Sequence, residues 1–210
     1  MNRYTTTFNT WNKIASVYQD TFMELDLYDD TYNIFCNHLS KKNAAILEIG
    51  CGPGNITKYL LSKNSRFNIK AIDAAPNMIA LAKKNIPTAK FEVMDCRKLH
   101  TLPGKYDGII CGFCMPYLSK QDSAKLLKDS FSLLNNNGIL YFSVIEGNYT
   151  KSGSETGNTG DSIFTYYYKA NYFKKELKKR GVQLLELIQK KYPKNNSHTQ
   201  VHLIFLARKL

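Results

Sequence analysis

The chain has 210 residues, 43% of them hydrophobic and 22% charged, with six prolines and twelve glycines, a composition that excludes a disordered or fibrous protein and allows a sizeable buried core. The longest apolar runs are strand-sized, as at 138–145, and the polar start at 1–9 lacks a signal peptide's apolar core, so no membrane partner is expected. Five cysteines, an odd number, without a secretory signal predict free thiols in a reducing compartment, the cytoplasm.

The net charge of +12 raises the question of nucleic acid. It is spread over two blocks: residues 41–110 carry +7 and 151–210 carry +8, while 1–40 carry −3. It also rests on 24 lysines against 5 arginines, whereas base-edge and bidentate phosphate reading leans on arginine. A dedicated nucleic-acid surface is therefore not expected. The cluster Lys174, Lys175, Lys178, Lys179 and Arg180 reads as the solvated face of one helix.

Along the chain, Trp11, Ile14, Ala15, Tyr18, Phe22 and Leu25 form one helical stripe, and Tyr28, Tyr32, Phe35 and Leu39 a second, so the first forty residues read as two helices. From residue 44 strands and helices alternate. The nearly all-apolar run 44–49 suits a central parallel strand buried on both faces. A helix from Ile56, a strand at 67–72, a helix opened by Pro76, and strands at 90–94 and 106–110 follow. Ser119 caps a helix that the asparagine run 135–137 and Gly138 stop, and a fifth strand covers 139–145. The polar stretch 147–161 reads as a long loop. A helix at 170–180 precedes two strands, 182–191 and 200–207, whose short spacer permits only an antiparallel hairpin. The pattern predicts one doubly wound α/β domain with an antiparallel C-terminal edge.

A glycine cluster, Glu48-Ile-Gly50-Cys-Gly52-Pro-Gly54, stands between the first strand and its helix. Glycine there lets the backbone turn sharply and lets a ligand come closer than a Cβ would allow. Asp73 closes the second strand 19 positions after Gly54, where a doubly wound sheet faces the ribose of a bound nucleotide. Asp95 ends the third strand, beside the place of an adenine ring. A glycine turn and two acids at three successive strand ends compose a nucleoside site. The spacing G-x-G-x-G is not that of dinucleotide sites, and Glu48 suits an ammonium group better than a pyrophosphate.

With Asp73-Ala-Ala-Pro-Asn-Met78, Val93-Met-Asp-Cys96 and Tyr106-Asp-Gly-Ile-Ile-Cys111 following in order, the chain resembles the class I S-adenosylmethionine-dependent methyltransferases of the small-molecule type. The resemblance implies a Rossmann-like seven-stranded sheet. It implies a single methyltransferase domain over 1–210: a helical cap at 1–40, a cofactor-binding core at 44–146, an insertion or lid at 147–168, and a C-terminal helix and hairpin at 169–210. The cofactor implied is S-adenosyl-L-methionine. Gly50, Gly52 and Gly54 would wrap its methionine part, with Glu48 supporting that loop and the amino group. Asp73 would hold the ribose hydroxyls, and Met78 would pack on the adenine. Asp95 would accept from the adenine amine, the Cys96 backbone would touch the ring, and the Cys111 backbone would lie near the methionine amine. A small-molecule methyl acceptor is the expected partner. A tRNA or rRNA methyltransferase and a catalytically idle S-adenosylmethionine-binding module are the alternatives.

Weaker signals remain. Cys111-Gly-Phe-Cys114 lacks the second pair of a zinc site. His198 and His202 sit about 13 Å apart along a strand, too far to share a metal. In Cys114-Met-Pro-Tyr117 the polar residue and first proline of an amino-methylating loop are replaced, and Tyr117 is the expected catalytic residue at the acceptor. Because methyl transfer needs water excluded, an added segment must cover the site. Two segments qualify, the N-terminal helices and 147–168. Tyr18 is expected to reach the methionine end, with Trp11 and Tyr168 nearer the acceptor.

Overall fold

The apolar run after residue 44 becomes the middle of a twisted sheet. The computed structural model describes residues 3–157, 160–195 and 198–210. Three helices lead in, α1 (Arg3–Lys13), α2 (Ala15–Phe22) and α3 (Asp29–His38). The alternating core follows as β1 (Ala45–Ile49), α4 (Asn55–Lys63), β2 (Asn68–Asp73), α5 (Pro76–Asn85), β3 (Lys90–Val93), β4 (Tyr106–Cys111), α6 (Lys120–Leu133) and β5 (Leu134–Glu146). Then come β6 (Gly153–Thr156), β7 (Ser162–Thr165), β8 (Tyr167–Tyr168), α7 (Ala170–Lys179), β9 (Gln183–Asn195) and β10 (His198–Arg208). The sheet order is β3-β2-β1-β4-β5-β10-β9, parallel through β5, with β10 antiparallel to both of its neighbours. This is the expected doubly wound sheet.

The pleat sends alternate residues to opposite layers. Ile46, Ile69, Ile110, Tyr141 and Ile204 pack beneath α3, α4 and α5, through Phe35, Leu60 and Ile79. Leu47, Ile109, Phe142 and Phe205 pack against α6 and α7, through Leu127, Phe131, Phe173 and Leu177. Glu48 lies between Leu47 and Ile49 and is therefore carried into the α4 layer, where it meets Thr57.

Five details depart from the sequence reading. The first forty residues form three helices, because a non-helical Ile14 separates α1 from α2 along one continuous stripe. The asparagine run does not precede the fifth strand but lies within it. Residues 134–139 of β5 stand opposite only 106–108 of β4, and the surplus is held by Asn135 donating to Asp107 and Asn137 donating to the Lys209 carbonyl. The stretch 147–161 is not a structureless loop, since β6 pairs with β7. An eighth strand, β8, also joins the sheet. β4 ends at Cys111 beside Phe142, and β8 takes up Ile145 and Glu146 beyond it. Finally, β9 and β10 extend into the expected hairpin spacer as far as Asn195 and His198; residues 196 and 197 lie outside the described residues.

Phe35 of α3 is fully buried against β4, where a Cβ on Gly108 would lie 2.7 Å from its ring. Tyr141 is equally buried, but its hydroxyl finds Thr31 Oγ1 at 3.0 Å. Phe35→Ala is expected to lower the unfolding free energy by about 3–5 kcal/mol, and Tyr141→Phe by only about 1 kcal/mol. Urea unfolding of the two variants checks this, and equal losses would show that α3 does not anchor the layer.

Candidate functional site

The carboxyl ends of β1 to β4 open onto one cavity. Its wall comprises Gly50 and Gly52 after β1, Asp73, Ala74, Ala75 and Met78 from β2 into α5, and Met94 and Cys96 after β3. Gly112, Phe113, Cys114, Tyr117 and Leu118 follow β4, and Thr7, Phe8, Trp11 and Tyr18 close it from α1 and α2. Of the residues singled out in the sequence, Tyr18, Gly50, Gly52, Asp73, Met78, Cys96 and Tyr117 are thus brought together.

The β1–α4 turn favours glycine, at Gly50 by close approach as well as by its positive φ and at Gly52 by positive φ alone. At Gly50 (φ +70°) a Cβ would lie 2.9 Å from Cys114 Cβ, and at Gly52 (φ +52°) it would meet Tyr18 Cε1 at 3.5 Å. Asp73 fastens this turn to the next: one carboxylate oxygen accepts from Gly52 N at 2.9 Å and the other from Ala75 N at 2.8 Å. Burial pushes the Asp73 carboxyl up, against the backbone N–H groups of Ala75, Gly52 and Ala74, which favour its charged form. Each oxygen retains lone-pair capacity toward the cavity.

Four expected residues do not stand on this wall. Glu48 is buried behind the turn, hydrogen-bonded to Thr57, with Oε1 lacking a partner. Burial, and to a lesser degree the charge of Asp73, push its carboxyl up to about 8 against the Thr57 bond. At Gly54 (φ +93°) a Cβ would run into Ile86, the residue that follows α5, so this glycine serves the packing of the turn on that helix's end. Cys111 is fully buried among the side chains that meet α6 and α7. Asp95 caps the short 3-10 turn Cys96–Thr101 and is gripped by Arg97, whose Nε lies 2.9 Å and 3.0 Å from its two oxygens. Burial opposes the Asp95 charge, but the Arg97 bonds outweigh it and hold the carboxyl below its ordinary value. The Arg97 guanidinium in turn lies over the Tyr4 ring at 4.1 Å, so this acid anchors α1 rather than facing the cavity.

The two segments considered as covers are joined. α1 lines the cavity and the β6–β7 hairpin supports α1 from outside: Thr10 Oγ1 donates to the Ser162 carbonyl, Phe164 N donates to Thr7 Oγ1, and Arg3 lies over the Phe164 ring. On its other flank Asn12 accepts from Asn77 N and receives the Asn77 side-chain amide, capping α5. Trp11 meets Tyr18 and Tyr117 edge-on, at 5.5 Å and 5.3 Å between centroids. Tyr168, expected near the acceptor, is instead buried against Phe173 with its hydroxyl donating to the Leu118 carbonyl. Its place in β8 turns it into the α6–α7 layer.

Phe113 escaped the sequence reading, although it lies inside the Cys111–Cys114 tetrapeptide. Its φ of 60° is rare for a bulky residue, and Ser143 Oγ accepts its N–H at 2.8 Å. Thr7, Phe8 and Met94 were also missed; nothing but the tertiary fold brings them here. The Cys96 and Cys114 sulfurs are 3.6 Å apart, and all five cysteines are free thiols. Among the described residues no cluster of metal-binding side chains occurs, and no helix is long and apolar enough to cross a membrane.

Residues 46–138 match the profile of a family described as a methyltransferase domain. Over 100 residues the chain is 37% identical to the malonyl-[acyl-carrier protein] O-methyltransferase of Bacillus anthracis, covering 47% of this chain and 36% of that protein. An uncharacterized methyltransferase of Alkaliphilus oremlandii is 26% identical over 190 residues, 89% of this chain and 75% of that one. The chain spans less than half the length of the first curated relatives it matches, 43% of one and 36% of the next. The crystal structure of Burkholderia thailandensis 1,6-didemethyltoxoflavin-N1-methyltransferase, with bound 1,6-didemethyltoxoflavin and S-adenosylhomocysteine, shares the fold. Its TM-score is 0.73 at 18% identity, over 98% of this chain and 88% of that one.

The buried Glu48 has a consequence for stability. With its folded carboxyl near 8 and an ordinary value of 4.5 when unfolded, the folded state holds the extra proton between those limits. The contribution of this group is therefore fully present below pH 4.5 and is lost as pH rises toward 8, by at most about 1.4 kcal/mol per pH unit for one proton. Glu48→Gln is expected to flatten this slope, measured by urea unfolding of the ligand-free protein at stepped pH. An unchanged slope would place the proton elsewhere.

Proposed function

Because the chain carries a class I S-adenosylmethionine-dependent methyltransferase domain, we propose that its strand-end cavity holds S-adenosylmethionine and that it methylates a small-molecule acceptor. The observation that carries this reading is Asp73, an acid on the cavity wall that is bonded to the glycine turn beside it. Its oxygens suit the two ribose hydroxyls, while Met78, Met94 and Phe8 offer apolar surface to the adenine. Gly50 and Gly52 leave room for the methionine part. The unpartnered Oε1 of Glu48 adds hydrogen-bonding capacity behind that turn.

When bound, S-adenosylmethionine supplies a methyl carbon already activated by its sulfonium, so that the acceptor's lone pair displaces a neutral thioether. The chain's own contribution is alignment and exclusion of water. Trp11, Tyr18 and Tyr117 are suited to form the walls beside the reacting atoms. Burial pushes the Tyr117 phenol well above its ordinary value, so this residue serves as a protonated wall and hydrogen-bond partner and not as a base. Residues 1–40 act as the cap in this reading, with the segment 147–168 as its brace. The free thiols support a cytoplasmic setting. The basic helix α7 gives little support to an RNA substrate, since Lys179 and Arg180 both pair with Glu176.

Calorimetric titration with S-adenosylmethionine and S-adenosylhomocysteine tests the reading. Asp73→Ala is expected to weaken both by roughly 1.5–3 kcal/mol, the scale of hydrogen bonds to a charged group. Gly52→Val, at a positive φ facing Tyr18, is expected to abolish binding with little change in the helical circular dichroism. Unchanged affinity in the Asp73 variant would remove that residue from the site.

A further inference from the structure

A second cavity adjoins the first and shares Trp11, Tyr18, Phe113 and Tyr117 with it. We propose that this second cavity is the methyl-acceptor site and that it takes a flat, uncharged aromatic ring bearing a hydroxyl or N–H, held by His202. The word acceptor rests on the reading that the first cavity holds S-adenosylmethionine, since the four shared side chains then stand where the methyl group crosses.

The class of ligand follows from the wall. Eight of its fourteen residues are aromatic, and among these described residues there is no Lys, Arg, Asp or Glu. A carboxylate entering such a wall would lose its hydration with no cation to replace it, which is prohibitive without a partner. Ring faces and edges instead favour another flat ring in stacked or edge-on contact. An ammonium ion would gain from the ring faces but find no acid to balance its charge.

His202 gives the wall its polar handle. It is 5% exposed and lies nearly parallel to Tyr28 and Tyr192, at 5.9 Å and 5.3 Å between centroids. Its Nδ1 is hydrogen-bonded to the Tyr28 hydroxyl at 2.7 Å, whereas Nε2 is buried without a partner. A buried nitrogen of this kind costs free energy until something bonds to it. Burial lowers its pKa to about 4, so the imidazole is neutral at working pH and suits an uncharged ligand. Asn55 and Gln200 are the other amide-bearing side chains on this wall.

The test is calorimetry on the full chain, first with S-adenosylhomocysteine alone and then, with that ligand present, with four probes: 2-naphthol, naphthalene, 2-naphthoate and decahydro-2-naphthol. 2-Naphthol is expected to bind about tenfold or more tightly than any of the others, the scale of one good interaction lost. His202→Phe keeps a ring in the wall and is expected to erase the preference of 2-naphthol over naphthalene, while His202→Gln retains part of it. Both variants should bind S-adenosylhomocysteine as the parent does, which also reports that they fold. If S-adenosylhomocysteine binds and 2-naphthoate matches 2-naphthol, the substrate class is overturned and the cofactor reading stands. If S-adenosylhomocysteine does not bind at all, the cofactor reading falls and the acceptor assignment falls with it.

Discussion

The carboxylate of Asp73 holds two turns in one place, and the rest of the site depends on it. It bridges Gly52 N after β1 and Ala75 N at the start of α5. Taking this charge out of water is costly, and the backbone N–H groups that meet it offset the cost. The same bridge sets the glycine turn within reach of Tyr18 and keeps Asp73 on the cavity wall. A neutral residue here would lose both bonds and loosen the floor.

Above that floor the cap is assembled from polar contacts at its edges and rings at its centre. Asn12 on α5, Thr10 on β7 and Tyr4 under Arg97 fix α1 from three sides. This arrangement gives Asp95 its work: an acid at the end of β3 holds an arginine, and the arginine holds the cap. The insertion and the N-terminal helices therefore act as one unit, in which the hairpin braces the helix that touches the cavity.

The end of β4 divides the two cavities. Phe113 sits in a left-handed conformation that disfavours a bulky side chain, and Ser143 on β5 accepts its N–H to keep it there. The strain places its ring against Tyr28 and His202, at 4.6 Å and 5.2 Å. Phe113 thus faces both chambers, together with Trp11, Tyr18 and Tyr117.

Local rules made much of this readable in advance. The alternation of short apolar runs with helical stripes determined the parallel sheet, because buried strands and amphipathic helices each leave their own period in the sequence. The glycine turn and Asp73 were legible because a strand end permits few residues there, and Tyr18 and Trp11 because a cap over a cavity needs large side chains. The sequence could not show that Asp95 would be claimed by Arg97, that Tyr168 would turn into the core through a short eighth strand, or that Glu48 would be carried behind the turn. Nor could it bring His202 beside Tyr28, 174 residues away. Such outcomes depend on which distant group shares a buried space, and only the packed structure decides that, since the energy of a buried polar group is set by the partner it meets and not by its neighbours along the chain.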